Sequence, residues 1–455
     1  MRINIYHTND IHSNFEFLRK VNGYIRNNKN NDDIYLDSGD FTDLRSLVVQ
    51  ADGGKSALSL LLSTGLDAMA VGNNEIDLGY DNLSALAAMD LPILSANLTD
   101  DQGREIGGLK KSMVIERANK RFLIIGVSPY YNERFKLGAY NNFFILGNIM
   151  THDPIGEINR EIEKNRGNYD YCILLSHSGL IVDRKIASQC PGVDLFLGGH
   201  SHSKVAEENY SQSGRGELLG RITLDISDKI EIVENVQIDL ENINNPDFDK
   251  LYEEKIRFAD SILSEELDVC GELDFNPFRE CPLINFVCDA LYHEYDVDFA
   301  VMHNGIAEYS LKRPVSKKSL LEEFPSKLNS TIYHIKGDRI LESIRLSFDS
   351  EHIEQSGKAA GFRGTVLGSL SFSKNVRVVE DPLYVTINGE ELDTEKIYKI
   401  ATDDYLQRGS YYRSMAAPDD DSVYDNMFIR DLVEKHLMSC ELFQSSNNTR
   451  IIYNK

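Results

Sequence analysis

One arrangement recurs five times in the first 202 residues: a short apolar run ends in a turn that carries Asp, Asn or His. Arg2-Ile-Asn-Ile-Tyr6 alternates as a strand does and leads into His7-Thr-Asn-Asp10-Ile-His12. Ile34-Tyr-Leu runs into Asp37-Ser-Gly-Asp40, and Ala68-Met-Ala-Val into Gly72-Asn73-Asn74-Glu-Ile-Asp77. Tyr171-Cys-Ile-Leu-Leu ends in Ser176-His177, and Asp194-Leu-Phe-Leu in Gly198-Gly-His200-Ser-His202. Helical spacing separates the early strands. Phe15, Leu18, Val21 and Ile25 share one face, and helices are expected at 55–63, about 80–89 and about 155–165. Ile93 to Asn97 and the apolar Phe122–Val127 are further strands, and 221–226 with 230–238 form a hairpin about a Ser-Asp-Lys turn. This is an α/β pattern that a chain of 455 residues has ample core to build.

Each strand end alone is ordinary. Asn-Asp-x-His is usually a capped turn, Gly-Asp a bend, and a single His a satisfied polar group. Folding needs do not readily produce five of them with one ligand chemistry. Asp10, His12, Asp40, Asn73, His177, His200 and His202 mix imidazole with hard oxygen, a set that suits Mn, Zn, Fe or Ni and suits Ca poorly. Asp40 is the natural bridge between two ions. Two metals about 3.5–4 Å apart generate a hydroxide at neutral pH and clamp a phosphoryl group for in-line attack. Ser38, Gly39, Gly72, Gly198 and Gly199 let the backbone turn beside them.

The net charge of −24 argues against nucleic acid bound along a basic surface. A small anionic substrate then needs local compensation, which metal ions supply. None of the six cysteines forms a C-x-x-C pair, and several lie in apolar runs, so reduced, buried thiols are expected. No charged and apolar leader precedes the first strand, and no apolar run reaches membrane-spanning length. A cytoplasmic protein with no membrane partner is the expectation.

After a polar, mostly helical stretch at 246–269, the pattern restarts as α+β. Helices are expected at 282–293, 317–323, 337–347 and about 424–439. Strands are expected at 299–302, 330–335, 376–380, 383–387 and 397–402. The layout is a metal-binding domain over 1–243, a linker helix over 244–270 and a second domain over 271–455.

The motifs His7-Thr-Asn-Asp10-Ile-His12, Gly39-Asp40, Gly72-Asn-Asn-Glu-Ile-Asp77, Ser176-His177 and Gly199-His-Ser-His202 resemble, as an ordered set, the calcineurin-like metallophosphoesterases. More narrowly they are similar to the bacterial 5′-nucleotidase / UDP-sugar hydrolase family, over nearly the whole chain. The resemblance implies a four-layer α/β/β/α first domain and an α+β C-terminal domain that recognises the nucleoside and rotates to deliver substrate. It implies that Asp10, His12, Asp40 and His202 hold one ion, and Asp40, Asn73, His177 and His200 the other. The implied activity is release of phosphate from nucleotides, nucleotide sugars or pyrophosphates by a metal-activated hydroxide. The same metal core also serves phosphodiesterases and nucleases, and a metal-retaining sensor protein is a reading from another class.

Two departures stand out. The family's catalytic histidine, partnered by the aspartate at Asp77, is replaced by Asn74, whose amide is no general acid. A Gram-positive branch without signal peptides is similar in reading GNNE. The family's glycine-rich loop ending in arginine is represented by Asn304-Gly-Ile, with Ala307 at the arginine position. Asn304, with Arg363 as substitute cation, is a candidate substrate contact. Phe362 is a candidate for one ring of the family's aromatic base sandwich, and Tyr411 or Tyr412 for the other. Oligomeric state leaves no mark in the sequence.

Overall fold

The computed structural model describes residues 1–130, 144–227, 229–242, 244–357 and 361–454. Asp228 of the expected Ser-Asp-Lys turn and Ile243 at the expected domain boundary lie outside the described residues. The chain divides into two compact units, Met1–Asp260 and Ser261–Lys455.

The first unit contains two six-stranded sheets. One runs in the order Ile230–Asp239, Leu218–Ile226, Arg2–Thr8, Ile34–Asp37, Ala68–Ala70, Ile93–Leu94. Its last four strands are parallel. The other runs Lys204–Glu207, Tyr210–Ser213, Leu195–Gly198, Tyr171–Ser176, Lys120–Val127, Ser112–Arg117. The two sheets face each other across one apolar layer: Ile3, Ile5, Ile34 and Leu36 from the first meet Phe122, Ile173, Leu175 and Leu197 from the second. Both faces of each central strand are covered, which is why these strands read as apolar runs rather than alternating ones.

Helix Phe15–Asn28 packs on the outer face of the first sheet through Leu18, Val21 and Ile25, with helix Lys55–Leu62 beside it through Leu58 and Leu61. Helices Pro154–Lys164 and Leu180–Gln189 cover the second sheet through Ile158 and Ile186. The unit is thus a four-layer α/β/β/α sandwich. Asn14 caps the first helix, its side chain accepting from Phe17 N–H at 3.1 Å. The helix expected to link the domains spans Pro246–Leu263. Its N-terminal half docks on the first unit, with Phe248 buried, Tyr252 against Phe15, and Asp249 paired with Arg19.

The second unit has a five-stranded mixed sheet in the order Leu370–Phe372, Phe299–His303, Ile397–Asp403, Asn329–Lys336, Ser422–Phe428. A four-stranded sheet accompanies it. Helix Pro282–Glu294 buries Leu283, Phe286, Val287 and Leu291 in this core.

Three expectations are corrected. The helix expected over about 424–439 begins only at Ile429. Ser422–Phe428 is a strand instead, because it pairs antiparallel with Asn329–Lys336, and that tertiary contact overrides local spacing. The fourth strand ends at Leu94 rather than Asn97. Finally, not all cysteines are reduced: Cys270 and Cys440 are joined, with Cα atoms 5.2 Å apart, across a sequence separation of 170. A pairing between positions so remote leaves no local pattern in the sequence. Cys172, Cys190, Cys281 and Cys288 are free and buried as expected. No described helix is long and apolar enough to cross a membrane.

Candidate metal centre

All seven expected ligands lie where strands of the two facing sheets end. The first sheet supplies Asp10, His12, Asp40 and Asn73; the second supplies His177, His200 and His202. Five of the seven have left-handed backbone: Asp10, His12, Asp40, His200 and His202, with φ between 48° and 69°. Non-glycine residues adopt this region rarely and at a cost, and such strain gathers at functional sites. It is sustained here by neighbouring chain. Asp10 N–H donates to Gly39 O and His12 N–H to Asp40 O, each at 2.9 Å, and His200 N–H donates to Asp10 Oδ2 at 2.9 Å.

Donor atoms converge as ligands of shared cations should. Neighbouring ligands at about 2.1 Å from one ion lie about 3 Å apart. His12 Nε2 is 3.2 Å from His202 Nε2, and His200 Nδ1 is 2.9 Å from Asn73 Oδ1. Asp40 Oδ2 is 3.3 Å from His177 Nε2 and 3.9 Å from His12 Nε2, between the two groups. Asp10 Oδ1 also lies between them, 3.3 Å from His202 Nε2 and 3.7 Å from both His12 Nε2 and His177 Nε2. Asp10, His12 and His202 form one set able to hold an ion, and Asp10, Asp40 and His177 another.

His177 tests the fit. Its Nδ1 lies 2.7 Å from Ser38 O, which can only accept, so Nδ1 carries the proton. Nε2 is then the nitrogen turned into the site, fully buried and without a hydrogen-bond partner. A buried imidazole anchored this way and otherwise unsatisfied is what a metal ligand looks like. Burial by itself lowers the His177 imidazole, but Asp40 and Asp10 together push it up to about 10. The same proximity holds the Asp40 carboxyl well below its usual range against the effect of burial. The two carboxylates therefore call for positive charge. Burial holds His12 and His200 low; Arg215 acts in the same direction on His12, and His177 on His200.

Two contributors carry no clear sequence signal of their role. Glu75 is buried, and its carboxylate accepts from Asp40 N–H (2.9 Å), Gly72 N–H (2.9 Å), Thr42 N–H (2.8 Å) and Thr42 Oγ (2.8 Å). It ties the Gly39–Asp40 and Gly72–Asn73 turns together. Arg215 is exposed on a tight turn clamped to the first ligand loop. Asn9 Nδ2 donates to Gly214 O at 2.8 Å and Asn14 Nδ2 to Gly216 O at 3.0 Å.

Asn74 sits beside this site, its backbone N–H donating to Asp40 Oδ1 at 2.8 Å. Its side-chain Nδ2 lies 2.7 Å from His12 Nδ1 and 2.9 Å from Thr42 O. Asp77 follows on the same helical turn, Asn73–Ile76, whose C-cap it forms.

In the second unit the expected substrate contacts are differently placed. Asn304 is fully buried; its Nδ2 donates to Asn276 O (2.9 Å) and Arg279 O (2.7 Å), and its Oδ1 accepts from Ser371 Oγ (2.8 Å). The structure places Phe362 and Tyr412 in the core rather than on a base-binding surface. Phe362 stacks on Tyr405 with centroids 4.7 Å apart, and Tyr412 donates its hydroxyl to Gly368 O at 3.0 Å. Their large apolar area makes burial the favourable outcome. Arg363 is exposed, its guanidinium donating to Phe362 O at 2.7 Å. Tyr411 is partly exposed and lines a cavity of about 550 Å³ with His352, Gln355, Gly409, Ser410 and Arg413.

Residues 3–204 match the calcineurin-like phosphoesterase family and residues 267–417 the 5′-nucleotidase C-terminal domain. An uncharacterized metallophosphoesterase of Bacillus subtilis (strain 168), YunD, is 26% identical over 470 residues, covering 95% of this chain and 98% of its own. The 5′-nucleotidase of Bos taurus is 26% identical over 277 residues, 52% of this chain and 47% of that one. Among solved structures, a putative 5′-nucleotidase from Staphylococcus aureus, in complex with alpha-ketoglutarate, aligns with a TM-score of 0.67 at 16% identity, over 100% of both chains. The NAD nucleotidase of Haemophilus influenzae aligns with a TM-score of 0.66 at 15% identity, over 100% of this chain and 99% of that one. At these identities the structural likeness is one of fold.

Proposed function

The chain belongs to the calcineurin-like phosphoesterases that carry a 5′-nucleotidase C-terminal domain, and on that premise we propose that it releases phosphate from nucleotides and from nucleotide sugars or other pyrophosphates. It is a metal-dependent phosphoric ester hydrolase by family. The observation that carries the reading is the buried, anchored and otherwise unpartnered Nε2 of His177, turned toward Asp40 and Asp10.

Asp10, His12, Asp40 and His202 would hold one divalent cation and Asp40, Asn73, His177 and His200 the other, with Mn, Zn, Fe or Ni as the candidates their donor set suits. When bound, the pair supplies Lewis acidity toward the phosphoryl oxygens and activates water for in-line attack. The protein's part is orientation and charge. Glu75 sets the spacing of the two ligand turns, and Arg215 at the rim opposes protonation of His12. Tyr411 and the cavity around it offer the nucleoside an aromatic edge and the Arg413 cation. Asn74 provides no proton for a departing alkoxide, so good leaving groups, such as the phosphates of pyrophosphate bonds and aryl oxides, are favoured.

Manganese-dependent phosphate release from AMP, ADP, UDP-glucose, cyclic nucleotides and p-nitrophenyl phosphate tests the proposal. Release from the mononucleotide or pyrophosphate substrates supports it; release from cyclic nucleotides alone would make the protein a phosphodiesterase, and none at all would leave a metal-binding sensor. The leaving-group preference is tested by rate against leaving-group pKa for wild type and Asn74→His. Equal slopes for the two would sink it.

A further inference from the structure

The two histidines that flank the bridging carboxylate are supported in opposite ways. A metal-bound histidine commonly donates its outer ring N–H to a carbonyl or carboxylate, which leaves the inner nitrogen free to ligate. His177 follows this rule through Ser38 O. His12 does not: its inner nitrogen, Nε2, faces Asp10, Asp40 and His202, but its outer nitrogen, Nδ1, faces the side-chain amide of Asn74 at 2.7 Å.

The orientation of that amide is set by a third group. Thr42 O is 2.9 Å from Asn74 Nδ2 and can only accept, so the NH₂ end of the amide must be the one turned that way. The same NH₂ group directs its second hydrogen at His12 Nδ1. Nδ1 is therefore an acceptor, and a neutral His12 carries its hydrogen on Nε2, the nitrogen a cation needs. For His12 to ligate through Nε2 the hydrogen must sit on Nδ1 and find an acceptor. Asn74 provides one only by turning its amide over, which puts its oxygen against Thr42 O and breaks the bond between them.

We propose that Asn74 is a positioning residue that opposes ligation by His12, making the His12–His202 position the weaker and more readily exchanged of the two metal positions. The inference rests on the two-metal reading of this site. It concerns the departure at Asn74, and treats the residue as a brake on metal loading rather than as a lost acid alone.

Calorimetric titration of metal-free protein with Mn²⁺ tests it, with wild type beside Asn74→Asp and Asn74→Ala. The wild type should show two binding classes. Asn74→Asp gives His12 Nδ1–H a carboxylate partner and should tighten the weaker class by about 10- to 100-fold. Asn74→Ala removes the opposing N–H while keeping the backbone bond to Asp40, and should also tighten the weaker class. The alanine variant separates the proposal from a structural role, because loss of mere support for His12 would weaken binding instead. Nitrogen-15 shifts of the His12 ring give a second readout: the hydrogen should be on Nε2 in metal-free wild type and on Nδ1 in Asn74→Asp. Two equal classes in wild type, or an alanine variant that binds no tighter, would overturn the inference. A wild type that binds no Mn²⁺ would overturn the two-metal reading itself.

Discussion

Replacing Gly72 by alanine should disable the metal centre while leaving the domain folded. A Cβ at this position would stand 2.2 Å from Asp40 Oδ1, 2.4 Å from Asp40 N and 2.9 Å from Asp40 Cγ, where ordinary contact begins at 3.4 Å. Relief therefore demands a displacement of about 1 Å between the two turns. The backbone has little room to give, because Asp40 N–H and Gly72 N–H are both held by Glu75 at 2.9 Å. The Asp40 carboxylate, the proposed bridge, must move with the turn. Metal–ligand distances tolerate about 0.2 Å, so a shift of that size takes Asp40 out of bonding range of at least one ion. A misplacement of about 1 Å costs on the order of 10²-fold in rate. The assay pairs calorimetric Mn²⁺ titration with turnover of p-nitrophenyl phosphate, and circular dichroism verifies folding. Gly108→Ala serves as a control. It is comparably strained, at φ +81° with a Cβ 2.7 Å from Ala87 O, on an exposed turn that contributes no ligand. It should lower thermal stability and leave metal affinity alone. If Gly72→Ala binds Mn²⁺ and turns over like wild type, the close approach of the two turns does not position Asp40 and the reasoning fails.

Three other outcomes are expected. Cys440→Ser opens a loop spanning a sequence separation of 170. It should destabilise the second unit by roughly 2–5 kcal/mol, seen in its melting transition, with Mn²⁺ affinity unchanged; an unaltered melt would show that the bond does not contribute. Glu323 is buried with Oε2 lacking a hydrogen-bond partner, and burial, reinforced by Glu322, pushes its carboxyl up to about 8. The folded state thus retains a proton that the unfolded chain releases near its ordinary value of 4.5, so stability falls as pH rises between 4.5 and about 8. Glu323→Gln should flatten that fall, leaving stability at acid pH unaltered and raising it at alkaline pH; parallel pH–stability curves would refute this. Removing metal with EDTA should lower the melting temperature of the first unit. Restoring Mn²⁺ at about 100 times its dissociation constant should return roughly 2.7 kcal/mol, and an unresponsive transition would mean that no cation binds the folded state preferentially.

The candidate ligands could be proposed from the sequence because each is a local event. An apolar run specifies a strand, and the next few residues specify what its end presents. Asp10, His12, Asp40, Asn73, His177, His200 and His202 could be named from five such ends, and the strand–helix alternation carried the layered architecture. Only the tertiary structure brings strand ends from two different sheets to one place, through the shared layer of Ile5, Leu36, Leu175 and Leu197. That stacking puts Asp10 and Asp40 together beside His177 and holds five of the candidate ligands in left-handed backbone. It also turns the amide of Asn74 toward a ring 62 residues earlier in the chain. Burial decided the second unit in the same way: Phe362 and Tyr412 have the chemistry of base-stacking rings, but packing against Tyr405 and Gly368 claims them for the core. The Cys270–Cys440 bond and the pairing of Ser422–Phe428 likewise depend on partners remote in sequence. Residue chemistry and short-range periodicity are written along the chain, whereas which groups finally face one another depends on long-range packing, to which no local pattern answers.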